Sequence, residues 1–279
     1  MEILALGIST AFSYAVPFSQ MIEFIGEAGF GAVALGGEDV GHSGYDTPQG
    51  RDTIRKALDD NGLVLDSIHA PFGAKRDISS QERVVRRMGC TRVKDAVLAC
   101  QELGSTVAVV HLNSQFPDSE FEKRLSAAKK SLEELIPYAE RLGVTLAAEN
   151  DHDAQSMVLF DRVMSSYPEL DLCYDSSHAY LYGTYLGGQP FEMLRTYADR
   201  VGAVHLSDGR RNVDDHLLLY EGKIEWNEFV AYFSATRYMG SLLLEVEMGS
   251  SEFTDPAAFL RRAYAGATEL LKMIEEGGE

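Results

Sequence analysis

The sequence predicts an α/β chain folded as a single (β/α)8 barrel, and three observations carry that prediction. Eight short, near-continuous apolar runs alternate with amphipathic stretches long enough for helices; strands covered on both faces read this way, whereas half-exposed strands alternate polar and apolar. The length of 279 residues suits one barrel, a fold that commonly takes about 250 residues. Nine side chains able to bind a metal gather where such a barrel would bring them together: His69, His111, Glu149, Asp175, His178, His205, Asp214, His216 and Glu245. Seven of them lie at or just past the end of an apolar run, and Asp214 and His216 lie in the loop after one. Barrel active sites are built at that C-terminal end of the strands.

Taken in chain order, the expected strands are ILALGIS (3–9), GAVALG (31–36), LVLDSIH (63–69), TVAVVHL (106–112), VTLAAEN (144–150), LDLCYD (170–175), VGAVHLS (201–207) and SLLLEVE (241–247). Between the first two, PFSQMIEFIGEAGF opens with Pro17 at a first helical position and stops at Gly29, the residue that best adopts a left-handed C-cap. Between the third and fourth, SSQERVVRRMGCTRVKDAVLACQELG predicts a helix from a serine cap, with Glu82 in its first turn, to Gly104. Between the fourth and fifth, DSEFEKRLSAAKKSLEELIPYAERLG predicts a helix ending at Gly143 with a kink at Pro137. Eight strands alternating strictly with eight helices indicate a parallel sheet, and at this length a closed barrel is preferred to an open doubly wound one. No linker or shift in composition marks a second domain, so residues 1–279 are expected to form one, with EEGGE a frayed tail.

Bulk composition narrows the function classes. The formal charge of −18 argues against broad binding of a phosphate backbone, which requires clustered Lys and Arg. Three cysteines, Cys90, Cys100 and Cys173, make no disulfide framework and are read as packing residues, which suits a reducing, cytoplasmic setting. MEILALGIST has no basic leader region, and no run reaches the roughly 18 apolar residues of a membrane helix.

The strand ends carry the chemistry. Strands five to eight are neighbours around a barrel and end in Glu149, Asp175, His205 and Glu245. Carboxylates with one imidazole form a hard-to-borderline donor set for a divalent ion such as Mn, Zn, Co or Mg. Any one of these residues alone reads more simply as a helix-capping acid or a satisfied core histidine; four at equivalent places on consecutive strands do not. His69 and His111 end strands three and four beside Glu149 and could hold a second ion; His178, Asp214 and His216 could hold a third, or the outer set could bind substrate and carry no metal. Of the other histidines, His42 and His152 lie in loops on the same rim, and Phe72, Tyr180 and Tyr182 follow strand ends where they could wall a pocket.

The segments IHAPF (68–72), VVHLN (109–113), AAEN (147–150), YDSSHA (174–179), VHLSD (204–208), DDHLLLYEGKIEW (214–226) and LLLEVE (242–247) resemble the xylose isomerase-like barrel superfamily, which includes sugar-phosphate isomerases and epimerases and endonuclease IV. The resemblance spans nearly the whole chain in order. It implies that Glu149, Asp175, His205 and Glu245 are the shared metal ligands and that, as in the ketose 3-epimerase branch, Glu149 and Glu245 also act as acid and base. By the same resemblance His178 and Arg211 would hold substrate hydroxyls. The expected activity is proton transfer beside the carbonyl of a small sugar, sugar phosphate or polyol. Homo-oligomers are compatible with this reading, and a nucleic acid or membrane partner is not expected.

The rival is a zinc phosphodiester hydrolase like endonuclease IV, all nine ligand positions of which have a counterpart here. Against it stand the acidic charge and the DHDAQS that follows AAEN, where that family carries a Gly-Gln-Gly stretch used near DNA. The loop from His205 to Asp214 is also short, and Tyr220 replaces a glycine ahead of Glu221-Gly222. A barrel that merely binds a polyol as a sensor would leave four converging ligands without a role.

Overall fold

The computed structural model describes residues 5–186, 189–210 and 213–277. Eight parallel strands form one sheet: β1 (Leu6–Ser9), β2 (Ala32–Leu35), β3 (Val64–His69), β4 (Val107–Val110), β5 (Thr145–Glu149), β6 (Asp171–Asp175), β7 (Val201–His205) and, after a two-stranded hairpin of β8 (Asp208–Arg210) and β9 (Val213–Leu217), β10 (Leu242–Leu244). The order runs β10-β1-β2-β3-β4-β5-β6-β7. The seam closes one residue past β7, where Leu206 and Leu244 bridge in parallel: Leu206 N–H donates to Leu243 O (2.9 Å) and Glu245 N–H to Leu206 O (3.0 Å). The sheet is therefore a (β/α)8 barrel.

The helices α1 (Phe18–Ala28), α2 (Val40–Ser43), α3 (Pro48–Asn61), α4 (Arg83–Leu103), α5 (Phe121–Arg141), α6 (Ala154–Ser166), α7 (Ser176–Leu186), α8 (Glu192–Thr196), α9 (Trp226–Phe233) and α10 (Pro256–Gly277) cover the outside. Strict alternation is thus broken in three places: α2 precedes α3, α8 follows α7, and the β8–β9 hairpin sits between β7 and α9. In α1, Phe18, Met21, Ile22 and Ile25 are buried, the i, i+3, i+4, i+7 face that the sequence pattern demands. Gly29 ends that helix at φ 103°, as its position predicts.

One expectation for helix geometry is corrected. α4 starts at Arg83 rather than at the serine pair, because Ser79 is held in a turn: its N–H and hydroxyl both donate to Asp77 Oδ1 (2.7 Å each), and Arg124 fixes the other oxygen of Asp77 (2.6 Å). Tertiary pairing outcompetes the local cap. α5 passes through Pro137 without interruption.

Inside the barrel, Val109, Ala147, Cys173 and Ala203 form a small cluster of their own, separate from the large core between strands and helices. Side chains two residues apart on a strand share a face. His111, Glu149, Asp175 and His205 are each two residues beyond a member of that cluster, so they point into the barrel mouth, one layer above its small-residue floor.

Candidate functional site

The inner set meets as the strand ends predict. One ligand atom each from Glu149, Asp175, His205 and Glu245 lies within 4.8 Å of all the others. His205 Nδ1 lies 2.8 Å from Glu149 Oε1 and 2.9 Å from Glu245 Oε2. One ring N–H cannot satisfy two carboxylates. Asp175 is 0 % exposed; its Oδ1 accepts from Ser177 Oγ (3.0 Å) and from His178 N–H (2.8 Å), while its Oδ2 is buried without any hydrogen-bond partner. A buried carboxylate oxygen with nothing to bind, beside three further donors, fits a cation. Glu149, Asp175, His205 and Glu245 are the residues that would hold it.

Local structure aims each group. Asp175 caps the N-terminus of α7, which explains the three-residue step to His178: the same turn that lets Asp175 accept His178 N–H puts the His178 ring over the site. Asn150 locks this corner. Its side chain donates to Asp175 O (3.0 Å) and accepts from Asp175 N–H (2.8 Å), and its carbonyl accepts from His178 Nδ1 (2.9 Å). His69 Nδ1 likewise donates to Ala70 O (2.9 Å) and His216 Nδ1 to Glu245 O (2.9 Å). Each of these three rings therefore turns Nε2 inward, an orientation set by the hydrogen bond on its other nitrogen. Gly37 makes room for His69, since a Cβ there would fall 2.9 Å from its Nδ1.

The outer residues fall into two groups. His69 Nε2 (2.8 Å) and His111 Nε2 (3.0 Å) both contact Glu149 Oε2. Asp214 sits between His178 and His216, at 3.3 Å and 3.2 Å from their Nε2 atoms. Asp214 and His216 are not in an open loop, as the sequence suggests, but on β9 of the hairpin, paired with β8 through Asp208↔Leu217 and Arg210↔Val213. Arg211 lies outside the described residues.

Electrostatics follow from these contacts. Burial opposes ionisation of Glu149, but the imidazoles of His205, His111 and His69 outweigh it and hold the carboxyl well below its ordinary value. Glu245 is drawn down to about 2 by His205 against the same burial. Asp175 moves the other way: burial dominates and raises it, and His178 and His216 only partly offset that. His216, despite burial, is raised to about 10 by Asp214, Asp175 and Glu245.

Above this floor lies a cavity of ≈ 260 Å³, near the small end for ligand sites. His152 and Phe72 line it as expected; Tyr180 and Tyr182 do not, and His42 instead contacts Val16 O through Nε2 (2.7 Å) and packs edge-on against Tyr14. Sequence reasoning missed Tyr14, Glu38, Asn113, Asp151 and Glu247 on the wall. Tyr14 Oη is buried without a partner, and burial, aided by Glu38, raises it to about 12, so it stays a neutral donor. Asn113 and Asp151, just past predicted strand ends, and Glu247, at one, carried a positional signal in the sequence.

Comparison with known proteins agrees with this architecture. An uncharacterized protein of Sinorhizobium fredii, y4fM, is 24% identical over 91% of this chain and 88% of its own length. A crystal structure of a D-tagatose 3-epimerase-like protein superposes with a TM-score of 0.78 at 21% identity, covering 99% of each chain. The structure of an L-ribulose 3-epimerase gives 0.77 at 18% identity, covering 99% of this chain and 96% of that one. At such identities the likeness establishes the fold. The family model described as xylose isomerase-like TIM barrel matches residues 22–265, and the chain belongs to that family.

Proposed function

We propose that the protein is a divalent-metal-dependent isomerase or epimerase of a small, unphosphorylated sugar or polyol-derived ketone. The observation that carries this reading is the meeting of Glu149, Asp175, His205 and Glu245, with one oxygen of Asp175 buried and left without a partner. A divalent ion held there would supply a Lewis acid for the substrate carbonyl, making the neighbouring C–H more acidic.

The rest of the chemistry falls to side chains. Glu149 and Glu245 occupy different strands and present carboxylates to the same small volume. One takes the proton from the carbon beside the carbonyl and later releases it to solvent, the C–H electron pair moves into an ene-diolate, and a proton drawn from solvent through the other carboxylate is returned to the same or the adjacent carbon. The partners of each carboxylate keep it fixed during this exchange. Phe72, whose ring centroid lies 4.5 Å from that of His111, covers the imidazoles from one side. Tyr14 Oη, His178 and Asp214 supply polar contacts for sugar hydroxyls.

The cavity wall supports an uncharged substrate. Glu38, Glu149, Asp151, Asp214, Glu245 and Glu247 face it, and among the described residues no Lys or Arg does. Such a wall repels phosphate. The same acidity, with a small cavity, disfavours the endonuclease alternative, even though all nine of its ligand positions are occupied. The fold likeness to structures named as a D-tagatose 3-epimerase-like protein and an L-ribulose 3-epimerase is in keeping with the sugar reading.

The test is a side-by-side assay of the Mn-loaded protein on a panel of free ketoses in heavy water and on an abasic-site duplex. The proposal expects deuterium beside a ketose carbonyl and no strand cleavage. Zinc-dependent, salt-sensitive cleavage without ketose exchange would replace it with the hydrolase.

A further inference from the structure

One buried carboxylate that this chemistry does not use organises the segment between β7 and α9. Asp208 is 1 % exposed, and its oxygens accept four hydrogen bonds. Oδ1 accepts from the N–H groups of Gly209 (2.8 Å) and Ile224 (3.0 Å). Oδ2 accepts from the N–H of Tyr220 (3.0 Å) and the indole Nε1 of Trp226 (3.0 Å). The donors belong to β8, to the turn after β9 and to the first residue of α9, so one side chain ties together three stretches of backbone. Gly222 lies against it, and a Cβ there would come within 2.2 Å of Oδ1. The motif residues Asp208, Gly222 and Trp226 are thus parts of a single clasp.

What the clasp encloses is β9, the strand that carries Asp214 and His216. The backbone here is not relaxed: His216 on β9 has φ 39° and Tyr220 in the turn after it φ 69°, left-handed values that non-glycine residues hold only where the surroundings impose them. His216 is further tied by its carbonyl, which accepts from Glu247 N–H (2.9 Å), and by its Nδ1 contact with Glu245 O (2.9 Å). Asp208 does not itself face the cavity, while Asp214 and His216 do.

We propose that Asp208 is a positioning residue: its carboxylate holds residues 213–226 against β8 and thereby sets the Asp214–His216 pair against the substrate. The effect on turnover rests on the reading of that pair as substrate-binding. The effect on the segment itself does not. Trp226 is the chain's single tryptophan, so its emission reports directly on one arm of the clasp.

The experiment uses full-length, Mn-loaded protein and two variants. Asp208→Asn keeps the size but replaces one acceptor oxygen with a donor. Trp226→Phe keeps a ring and removes one of the four donors, and it serves if the first variant does not fold. For an accepted ketose, Asp208→Asn is expected to raise KM about tenfold with kcat within about twofold, the pattern of a lost binding contribution. Trp226→Phe should do the same to a smaller degree. Affinity for Mn at the inner four ligands should stay at the wild-type value, amide exchange over residues 213–217 should quicken in both variants, and acrylamide should quench Trp226 more readily in Asp208→Asn. If KM rises while kcat, Mn affinity and melting temperature all fall with it, the role is general folding and the proposal is overturned. Unchanged KM and unchanged exchange at 213–217 overturn it as well. Should the wild type turn over no ketose, the functional reading above fails; amide exchange at 213–217 with intact Mn binding then decides the clasp separately.

Discussion

Replacing Asp175 by asparagine should strengthen the metal-free fold while abolishing what the fold is for. The carboxylate is fully buried, one oxygen spends its capacity on Ser177 and His178, and the other has no partner. Asparagine retains the first oxygen and its two hydrogen bonds. Its amide group then replaces an orphaned acceptor with a donor, in a side chain that offers one atom within 4.8 Å of ligand atoms on Glu149, His205 and Glu245. A buried unsatisfied polar atom costs about 1–3 kcal/mol, so Asp175→Asn should gain about that much in the presence of chelator. For a domain of this size that is roughly 2–4 °C in melting temperature per kcal/mol. The pH dependence has a definite sign. Burial raises the Asp175 carboxyl, so the group favours the fold below its ordinary value of 3.8 and weakens it as pH rises through the higher folded value. The advantage of the variant should therefore grow from acid toward neutral pH. With metal the order reverses, because a cation at a hundred times its Kd adds about 2.7 kcal/mol to the wild type alone. The assay is thermal or urea unfolding of both proteins, with chelator and with Mn. If Asp175→Asn is less stable than wild type in chelator, the oxygen is not orphaned and the argument for a cation there loses its main support.

Three further outcomes follow from the same geometry. Glu245→Gln should retain appreciable Mn, since three ligands and an amide oxygen remain, but lose solvent deuterium incorporation into a ketose by more than about a hundredfold, the usual scale for a removed acid–base group; retention of exchange would assign the proton transfer elsewhere. Tyr14→Phe removes a buried hydroxyl that has no protein partner, so it should raise folding stability by up to about 1–3 kcal/mol and raise KM several-fold, as a lost neutral hydrogen bond to substrate does; a clear loss of stability with unchanged KM would refute its substrate role. His216 is raised to about 10, so in the metal-free protein its protonation stabilises fully below about 6.5, and that contribution fades as pH climbs toward 10; His216→Gln should flatten unfolding stability across that interval, and an unflattened curve would contradict the pairing with Asp214.

Much of this was legible in the sequence because parallel strands impose a simple rule. Ala147 and Glu149, Cys173 and Asp175, and Ala203 and His205 are pairs two residues apart on buried strands, so a ligand just after a small inward residue must point into the barrel mouth. The Asp175–His178 step was equally readable, since a cap and the third residue of its helix are neighbours by geometry. The β8–β9 hairpin was not. VDDHL is polar because it faces the cavity and solvent, and what makes it a strand is the distant clasp of Asp208 on Tyr220, Ile224 and Trp226. Tyr14 and Glu38 lie in the loops after the neighbouring strands β1 and β2, and nothing in the local pattern of either loop shows that its side chain turns toward the pocket. The start of α4 was misplaced for a related reason: Arg124, far along the chain, commits Asp77 to a turn that the local serines would not form alone.

The central claim is a divalent cation on four named side chains, and anomalous diffraction from crystals soaked in Mn tests it most directly. The account predicts one strong peak, about 2.0–2.6 Å from oxygen or nitrogen atoms of Glu149, Asp175, His205 and Glu245. No peak among these four, or three filled sites that include the imidazoles of His69, His111, His178 and His216, would contradict it.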